Sequence, residues 1–349
     1  MRYLGLMLSG LLCVLAIARG AQAQNDSCPI VEAPAKFDFL SDKSDAKGRP
    51  TNIGIVPHGF VSVSASVVHG VDVSKWQSDA NFIRIWECGG RFAYIRLSAG
   101  ENPDNELEYR QYWANARNVN LMVGGYHNLV ISDANVPASS LSKSDLDQLR
   151  EQNLASAVRQ AQLFLARLKE VLTLDPTQTP DNVRGKVGLP YLPIVVDAML
   201  RPQSRGRDAD RLAIGNIYGD VLCRWIETVR AYPATAEQPV VLFTSPSGYH
   251  DYGLRRAPCL TAIPIWVSYH AMDGDRPSFA VSDGDVGNVV AGELCLAPDG
   301  TNRCVMQQYT SYGGFALFQK DKGLDLDRFF GTEEELHSWL QNASGGGKE

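Results

Sequence analysis

The amino-acid sequence predicts an α/β protein, an irregular eight-stranded (β/α)5β3 TIM-like barrel. Short apolar runs alternate with helical stretches five times between residue 67 and about residue 245. Three more apolar runs follow, with loops rather than long helices between them. The region holds roughly 275 residues, a length that suits one barrel. A doubly wound open sheet is the alternative, but no glycine-rich phosphate-binding loop follows the first strand.

The individual elements are predicted from apolar periodicity. Strands are expected at residues 67–72, 92–97, 121–127, 192–197, 239–244, 263–269, 305–310 and 323–326. The longest helix spans Leu146 to Leu172, where apolar residues recur every three to five positions. Further helices are expected at residues 80–88, 109–116, 212–229 and 333–340. Thr332, three residues before Glu335, suits the N-cap of the last helix.

The chain divides into a signal peptide (1–23), an extended leader (24–65), the barrel (66–341) and a flexible tail (342–349). In the first segment Arg2 precedes a short apolar stretch, and Ala21-Gln22-Ala23 offers a cleavage site. A retained membrane anchor is the alternative, but the apolar stretch is too short to cross a bilayer comfortably. We therefore expect a secreted or periplasmic protein, with no membrane insertion after signal removal.

Net charge and cysteine content indicate which binding partners and which cellular compartment suit the chain. Without the signal peptide, 31 basic residues face 39 acidic ones, a balance that disfavours nucleic acid. Six cysteines remain, an even number that favours disulfides in an oxidising compartment. A Cys295–Cys304 bridge across a Pro-Asp-Gly turn is expected, whereas the pairing of Cys28, Cys88, Cys223 and Cys259 stays open. The sequence has no Cys-x-x-Cys motif, and no metal site is expected.

Three aspartates lie at the tails of predicted strands: Asp72, Asp197 and Asp325. The C-terminal strand ends of a parallel barrel meet on one face, which carries the active site. Carboxyl groups gathered there suit acid/base work on a neutral polar ligand such as a sugar, and need no cofactor. The segment after Asp72 adds a hydroxyl, an indole (Trp76) and an amide, although these groups also suit capping of the next helix.

These segments resemble glycoside hydrolase family 25, the lysozymes (N-acetylmuramidases) of bacteria, phages and fungi. The resemblance begins at Gly70-Val71-Asp72-Val73-Ser74-Lys75-Trp76-Gln77 and covers roughly residues 68–340. It continues in order through residues 92–100, Gly125-Tyr126-His127, 192–197, Gln308-Tyr309-Thr310 and 323–329. The resemblance implies a (β/α)5β3 barrel. It also implies hydrolysis of the β-1,4 linkage between N-acetylmuramic acid and N-acetylglucosamine in peptidoglycan.

The same resemblance implies roles for single residues. Asp72 and Asp325 match acidic positions in the family's catalytic cleft. Asp197 matches the first acid of an Asp-x-Glu pair and is expected to assist or orient the reaction. Tyr126 and Tyr309 match aromatic positions that line the cleft. Trp76 and His127 lie beside them as expected substrate contacts, with a hydrogen-bonded structural role as the alternative for His127.

One departure from the family pattern concerns the proton donor, because Met199 stands where the pair's glutamate is expected. A thioether has no proton to give, and a general acid typically contributes about 10²- to 10⁴-fold to the rate. Ser98-Ala99-Gly100 likewise replaces Thr-Glu-Gly. Glu101 or Asp197 are candidate replacements for the missing acid, and a solvated loop position is the alternative for Glu101.

Two main functions follow from the sequence. One is an exported hydrolase of peptidoglycan or a related glycan. The other is a catalytically impaired barrel that binds a glycan or a protein partner without cleavage, as Met199 and Ala99 favour. A purely structural envelope protein ranks third.

Overall fold

A computed structural model of the chain describes most of the barrel region. The described residues are 31–32, 61–62, 67–77, 80–132, 140–174, 191–199, 208–236, 238–251, 254–261, 263–269, 272–273, 276–277, 292–295, 302–313 and 324–343. The signal peptide, nearly all of the leader and residues 344–349 of the tail lie outside these ranges, so those predictions stay predictions.

Eight strands close into a single barrel, with neighbours in chain order and the last strand joined to the first. They are β1 (Val67–Val73), β2 (Gly90–Ala99), β3 (Met122–Asn128), β4 (Ile194–Asp197), β5 (Val240–Thr244), β6 (Ile265–Ser268), β7 (Cys304–Gly313) and β8 (Leu324–Phe330). Strands β1 to β7 run parallel to one another, whereas β8 runs antiparallel to both β7 and β1. The closed barrel confirms the predicted fold, and the open-sheet alternative is wrong.

Helices follow each of the first five strands. They are α1 (Phe82–Glu87), α2 (Tyr109–Asn118), α3 (Lys143–Leu174), α4 (Asp208–Arg230) and α5 (Pro246–Asp251). The four-residue α6 (Gly292–Cys295) precedes β7, and α7 (Glu333–Ala343) follows β8. Within the described residues, three 3-10 turns occupy Pro103–Asn105, Leu254–Arg256 and Pro258–Leu260. Two-residue strands pair Val31–Glu32 with Val61–Ser62 and Met272–Asp273 with Arg276–Pro277. This order matches the predicted five βα units and three further strands.

Side chains along each strand point alternately into the barrel and outwards to the helices. Phe92 and Tyr94 of β2 belong to the interior apolar cluster, whereas Ile95 and Leu97 pack in the outer cluster with helices α3 and α4. Gly70 leaves space for this interior, since a Cβ atom there would lie 2.3 Å from the Phe92 ring.

The C-terminal helix closes one end of the barrel. Leu336 and Leu340 of α7 join the interior cluster, and Trp339 packs on Phe329 with 5.7 Å between ring centroids. Phe329 pairs with Val68 near the start of β1, so α7 covers the end opposite to the C-terminal ends of the parallel strands. The predicted cap is confirmed, because Thr332 Oγ1 accepts from the Glu335 N–H at 3.1 Å and Glu335 Oε2 accepts from the Thr332 N–H at 2.7 Å.

Disulfides stabilise the region around β7. The predicted Cys295–Cys304 bridge is confirmed, and Cys223–Cys259 joins α4 to the Pro258–Leu260 turn. Cys88 is disulfide-bonded as well. Beside the first bridge, the buried Arg303 guanidinium donates to the carbonyl oxygens of Leu260 and Leu294. Within the described ranges, no helix has the length and apolar character needed to cross a membrane.

Candidate active site

Asp72 lies near the end of β1 with its side chain inside the barrel, where it is only 5% exposed. The Tyr126 hydroxyl donates to Oδ1 at 3.2 Å, and Gln308 Nε2 donates to Oδ2 at 2.7 Å. Burial raises the pKa of Asp72 to about 6, although these two hydrogen bonds counteract the rise. The Ser268 hydroxyl contacts Gln308 Oε1 at 3.2 Å and thereby orients the amide that faces Asp72.

Asp325 lies directly opposite Asp72 in the antiparallel ladder between β8 and β1. Residues paired in this way carry their side chains on the same face of the sheet. Asp325 is the second residue of β8, so the prediction that it ends its strand is wrong. The reversed direction of β8 nevertheless brings Asp325 to the end of the barrel where Asp72 lies.

Asp197 is the last residue of β4 and is 7% exposed. Asn128 Nδ2 donates to its Oδ2 at 2.7 Å, and the backbone N–H of Met199 donates to its Oδ1 at 3.0 Å. Both carboxylate oxygens of Asp197 therefore accept hydrogen bonds, an arrangement that suits the ionised form.

The three predicted aspartates lie around the Tyr126 hydroxyl. Burial raises the pKa of Tyr126 well above its ordinary value, and the charges of Asp72, Asp197 and Asp325 add to the rise. The structure thus brings the three acids together at one end of the barrel interior, as the strand-end pattern predicts.

A cation lies beside this acidic group. Arg96, near the end of β2, forms a buried salt bridge with Glu106 at 2.6 Å, and its charge lowers the pKa of Asp72. Glu106 Oε2 also accepts from the backbone N–H of Lys75 at 2.9 Å, which ties the loop after β1 to the loop after β2. Trp76, next in this loop, is 56% exposed and has the Lys75 ammonium 5.2 Å from its ring centroid. Its indole is accessible at the rim of the site.

Met199 packs against the interior apolar cluster and is partly buried. It lies two residues after Asp197, and its backbone N–H donates to the Asp197 carboxylate. Glu101 does not replace the expected proton donor, because Arg159 of α3 binds its two oxygens at 2.6 and 3.0 Å. This hydrogen-bonded pair lowers the pKa of Glu101, so the carboxylate is ionised at neutral pH.

His127 is not brought to the aspartates. Tyr126 points into the barrel, so the next residue points outwards to the helices. His127 is fully buried there, stacked on Trp225 at 5.4 Å between ring centroids. Its Nδ1 lies 2.8 Å from Ser98 Oγ, and its Nε2 lies 3.0 Å from Gln160 Oε1. Burial lowers the pKa of His127 to about 4, so the ring is neutral at physiological pH.

Side-chain amides on α3 hold the loop that follows β3. Gln160 accepts from the N–H of Val130 at 3.1 Å and donates to the Val130 carbonyl oxygen at 2.7 Å. Asn153 contacts the N–H and the carbonyl oxygen of Ser132 in the same way, at 2.9 and 3.4 Å. Because Gln160 Oε1 is an acceptor, we assign the proton of neutral His127 to Nε2.

Tyr309 also faces away from the aspartates. Its ring packs in the outer apolar cluster, 6.4 Å from His69 and 6.0 Å from the Arg328 guanidinium. The structure therefore places Tyr309 on the outer side of β7, while the preceding residue, Gln308, binds Asp72.

A fourth acid, Asp327, was missed by the sequence reasoning. It follows Asp325 by two residues on the same face of β8 and is fully buried. Burial raises the pKa of Asp327 well above its ordinary value, and the charges of Asp72 and Asp325 add to the rise. The two-residue period of a strand was the available signal. Among the described residues, no group of histidine, cysteine and acidic side chains has the arrangement of a metal site.

Comparison with known proteins adds a family relationship. Residues 71–141 match the model of Glycosyl hydrolases family 25. Lysozyme M1 of Streptomyces globisporus is 36% identical over 62 residues, which are 18% of this chain and 21% of that protein. The chain thus matches about a fifth of that relative's length.

Two solved structures are similar to this chain at low sequence identity. The lysozyme of Streptomyces coelicolor is 19% identical with a TM-score of 0.47, covering 80% of this chain and 100% of that one. A family 25 glycosyl hydrolase from Bacillus anthracis is 19% identical with a TM-score of 0.47, covering 82% and 99%. Residues 71–141, which hold the end of β1 with Asp72, all of β2, and β3 with Tyr126, are similar to the glycosyl hydrolases of family 25.

Proposed function

We propose that this chain is an exported lysozyme-like glycoside hydrolase that cleaves the β-1,4 linkage between N-acetylmuramic acid and N-acetylglucosamine in peptidoglycan. The observation that carries the proposal is the group formed by Asp72, Asp197 and Asp325 around Tyr126, at the open end of a barrel related to family 25. The disulfides support export, because they form and persist in oxidising compartments.

The parts of the site suit a neutral sugar. The exposed indole of Trp76 offers an apolar face at the rim on which a sugar ring can stack. Asp197, held by Asn128 and the Met199 N–H, provides a fixed negative charge. Such a charge stabilises the oxocarbenium-like transition state of glycoside hydrolysis.

A second candidate function is binding of the glycan without cleavage. It is favoured by Met199, which brings no proton to the leaving oxygen, and by Glu101, which is held in its ionised form by Arg159. In this case the aspartates and Trp76 still bind the sugar chain, but turnover falls by the factor that a general acid contributes.

One experiment separates the two candidates. The purified chain, without residues 1–23, is incubated with peptidoglycan, and the release of reducing ends is measured together with quenching of tryptophan fluorescence. Hydrolysis that is lost in Asp197→Asn supports the hydrolase. Quenching that is lost in Trp76→Ala, without new reducing ends, supports the binding protein. A protein that neither binds nor cleaves the glycan contradicts both candidates.

The role of Met199 is tested by two matched substitutions. Met199→Glu supplies a proton donor, and Met199→Gln supplies a side chain of the same shape without an acidic proton. If the missing acid limits turnover, Met199→Glu increases the rate by about 10²- to 10⁴-fold over Met199→Gln. Equal rates in the two variants would show that another group already performs this step.

A further inference from the structure

Asp327 has an unusual environment for a carboxyl group. It points into the barrel from β8, and its ladder partner on β1 is Gly70, which has no side chain. Asp327 is fully buried, and within the described part of the chain neither of its oxygens has a hydrogen bond of ordinary length. A carboxyl group in such a place is much more stable when protonated.

Asp72 is the nearest acidic group on the neighbouring strand. The ladder pairs Asp325 with Asp72 and Asp327 with Gly70, so Asp327 and Asp72 are diagonal neighbours on the inner face. The hydroxyl of Tyr94 and the indole N–H of Trp266 are also buried without a hydrogen bond of ordinary length to other described residues. Both groups interact with Asp327. The charge of Asp327 raises the pKa of Tyr94, and the indole of Trp266 lowers the pKa of Asp327.

Other charged and titratable groups face this pair of carboxyls from the surrounding strands. They are Asp325 on β8, Tyr94 and Arg96 on β2, Tyr126 on β3 and Asp197 on β4. The two acids, Asp197 and Asp325, oppose further negative charge on the pair, and Arg96 is already paired with Glu106. Two buried carboxyls among such neighbours do not ionise together near neutral pH.

The hydrogen bonds indicate which carboxyl of the pair is ionised and which is protonated. Asp72 accepts from Tyr126 and Gln308, so its oxygens are arranged for the ionised form. Asp327 has only the indole N–H of Trp266 beside it, outside ordinary hydrogen-bond geometry, and is therefore the protonated member. Asp72 is its diagonal neighbour in the ladder and raises the pKa of Asp327 further.

We infer that Asp72 and Asp327 share one proton and that Asp72 delivers it to the glycosidic oxygen, in place of the acid that Met199 does not supply. The inference rests on the proposed hydrolase function. In the first step Asp72 passes the shared proton to the bridging oxygen of the glycoside as the bond from that oxygen to the anomeric carbon breaks, and the positive charge that develops at this carbon offsets the additional negative charge left on the pair. A water molecule then adds its oxygen to the anomeric carbon, and the proton released from that water returns to the pair.

The test combines a measurement on the free protein with one on the reaction. Carbon-13 NMR of aspartate carboxyl groups, recorded from pH 4 to pH 9, should show a fully protonated buried carboxyl at pH 7 in the wild type. In Asp327→Asn this signal is absent, and the Asp72 carboxyl titrates at lower pH. Asp220→Asn on the outside of α4 serves as the matched control, with both inner signals unchanged.

Hydrolysis of peptidoglycan is measured over the same pH range. Asp327→Asn should lower the rate at pH 7 by at least about tenfold and move the alkaline limb of the profile to lower pH, as expected for loss of an acid. Unchanged carboxyl signals and an unchanged limb in Asp327→Asn would overturn the shared proton while leaving the hydrolase proposal standing. A wild type that releases no reducing ends at any pH overturns the hydrolase proposal instead. The wild-type NMR titration still decides the pair, including when the variant does not fold.

Discussion

The buried imidazole of His127 makes a quantitative prediction about stability and pH. His127 is neutral in the folded chain because burial lowers its pKa to about 4, while an unfolded chain has the ordinary value of 6.5. When the pH falls below 6.5, the unfolded state takes up a proton that the folded state excludes until about pH 4. Folding stability is therefore lost over this window and is fully present above it.

The size of the effect follows from the two pKa values. One pKa unit corresponds to about 1.4 kcal/mol, so His127 should remove about 3 kcal/mol of the free energy of unfolding between pH 7 and pH 4. The substitution His127→Gln removes the titrating group. The difference in stability between wild type and variant should therefore change by about 3 kcal/mol across the same window.

The measurement is urea unfolding of both proteins at several pH values, followed by circular dichroism. Taking the difference removes the contributions of the other buried groups, including the acids inside the barrel. His69→Gln is a matched comparison, because the pKa of His69 is also lowered to about 4, again chiefly by burial. A difference between wild type and His127→Gln that stays constant from pH 7 to pH 4 would refute the buried, neutral ring. It would restore the reading of His127 as an accessible ligand contact.

Three other substitutions test the barrel interior and its rim. The stability of Asp72→Asn relative to the wild type should rise by about 3 kcal/mol between about pH 4 and pH 6, because the pKa of the buried wild-type carboxyl is raised from 3.8 to about 6; urea unfolding across this range checks the sign. Gly70→Ala places a Cβ atom 2.3 Å from Phe92 and should cost about 1–3 kcal/mol, measured by thermal unfolding beside Asn118→Ala, which introduces alanine at an exposed position. Arg303→Met leaves the Leu260 and Leu294 carbonyls without their donor and should cost about 2 kcal/mol or more, whereas a smaller loss would mean that water replaces the guanidinium.

Local pattern was sufficient to predict the parallel strands and the acids at their ends. Asp72 and Asp197 lie at or near the end of their apolar runs. In a parallel barrel the C-terminal ends of all strands lie at the same end of the barrel, so the two acids are expected there. The direction of β8 could not be read in this way, because an antiparallel strand has the same local pattern as a parallel one. Asp325 was therefore expected at the end of its strand and instead lies near its beginning.

The inward or outward direction of a side chain was harder to predict than its strand. Tyr126 and His127 are neighbours with opposite directions, which the two-residue period implies once one of them is placed. In β7, Met306 and Gln308 face the interior and Tyr309 faces outwards, so the two-residue period holds up to Tyr309; the ladder with β8 shifts its register only after Gln308. The side chain of Tyr309 was therefore predictable as outward once Gln308 or Met306 was placed inside the barrel, just as His127 follows from Tyr126.

The bonds from Asn153 and Gln160 to Val130 and Ser132 involve only the main chain of the loop. Val130 itself is 44% exposed, so its side chain takes no part in holding the loop. Substitutions of Val130 and Ser132 should therefore change the side chains that the loop presents to a ligand without changing the course of its backbone. Because Asn153 and Gln160 hold the loop backbone, the side chains of residues 130–132 can be varied independently of the loop conformation. These residues are therefore a suitable place to change ligand preference in engineered variants.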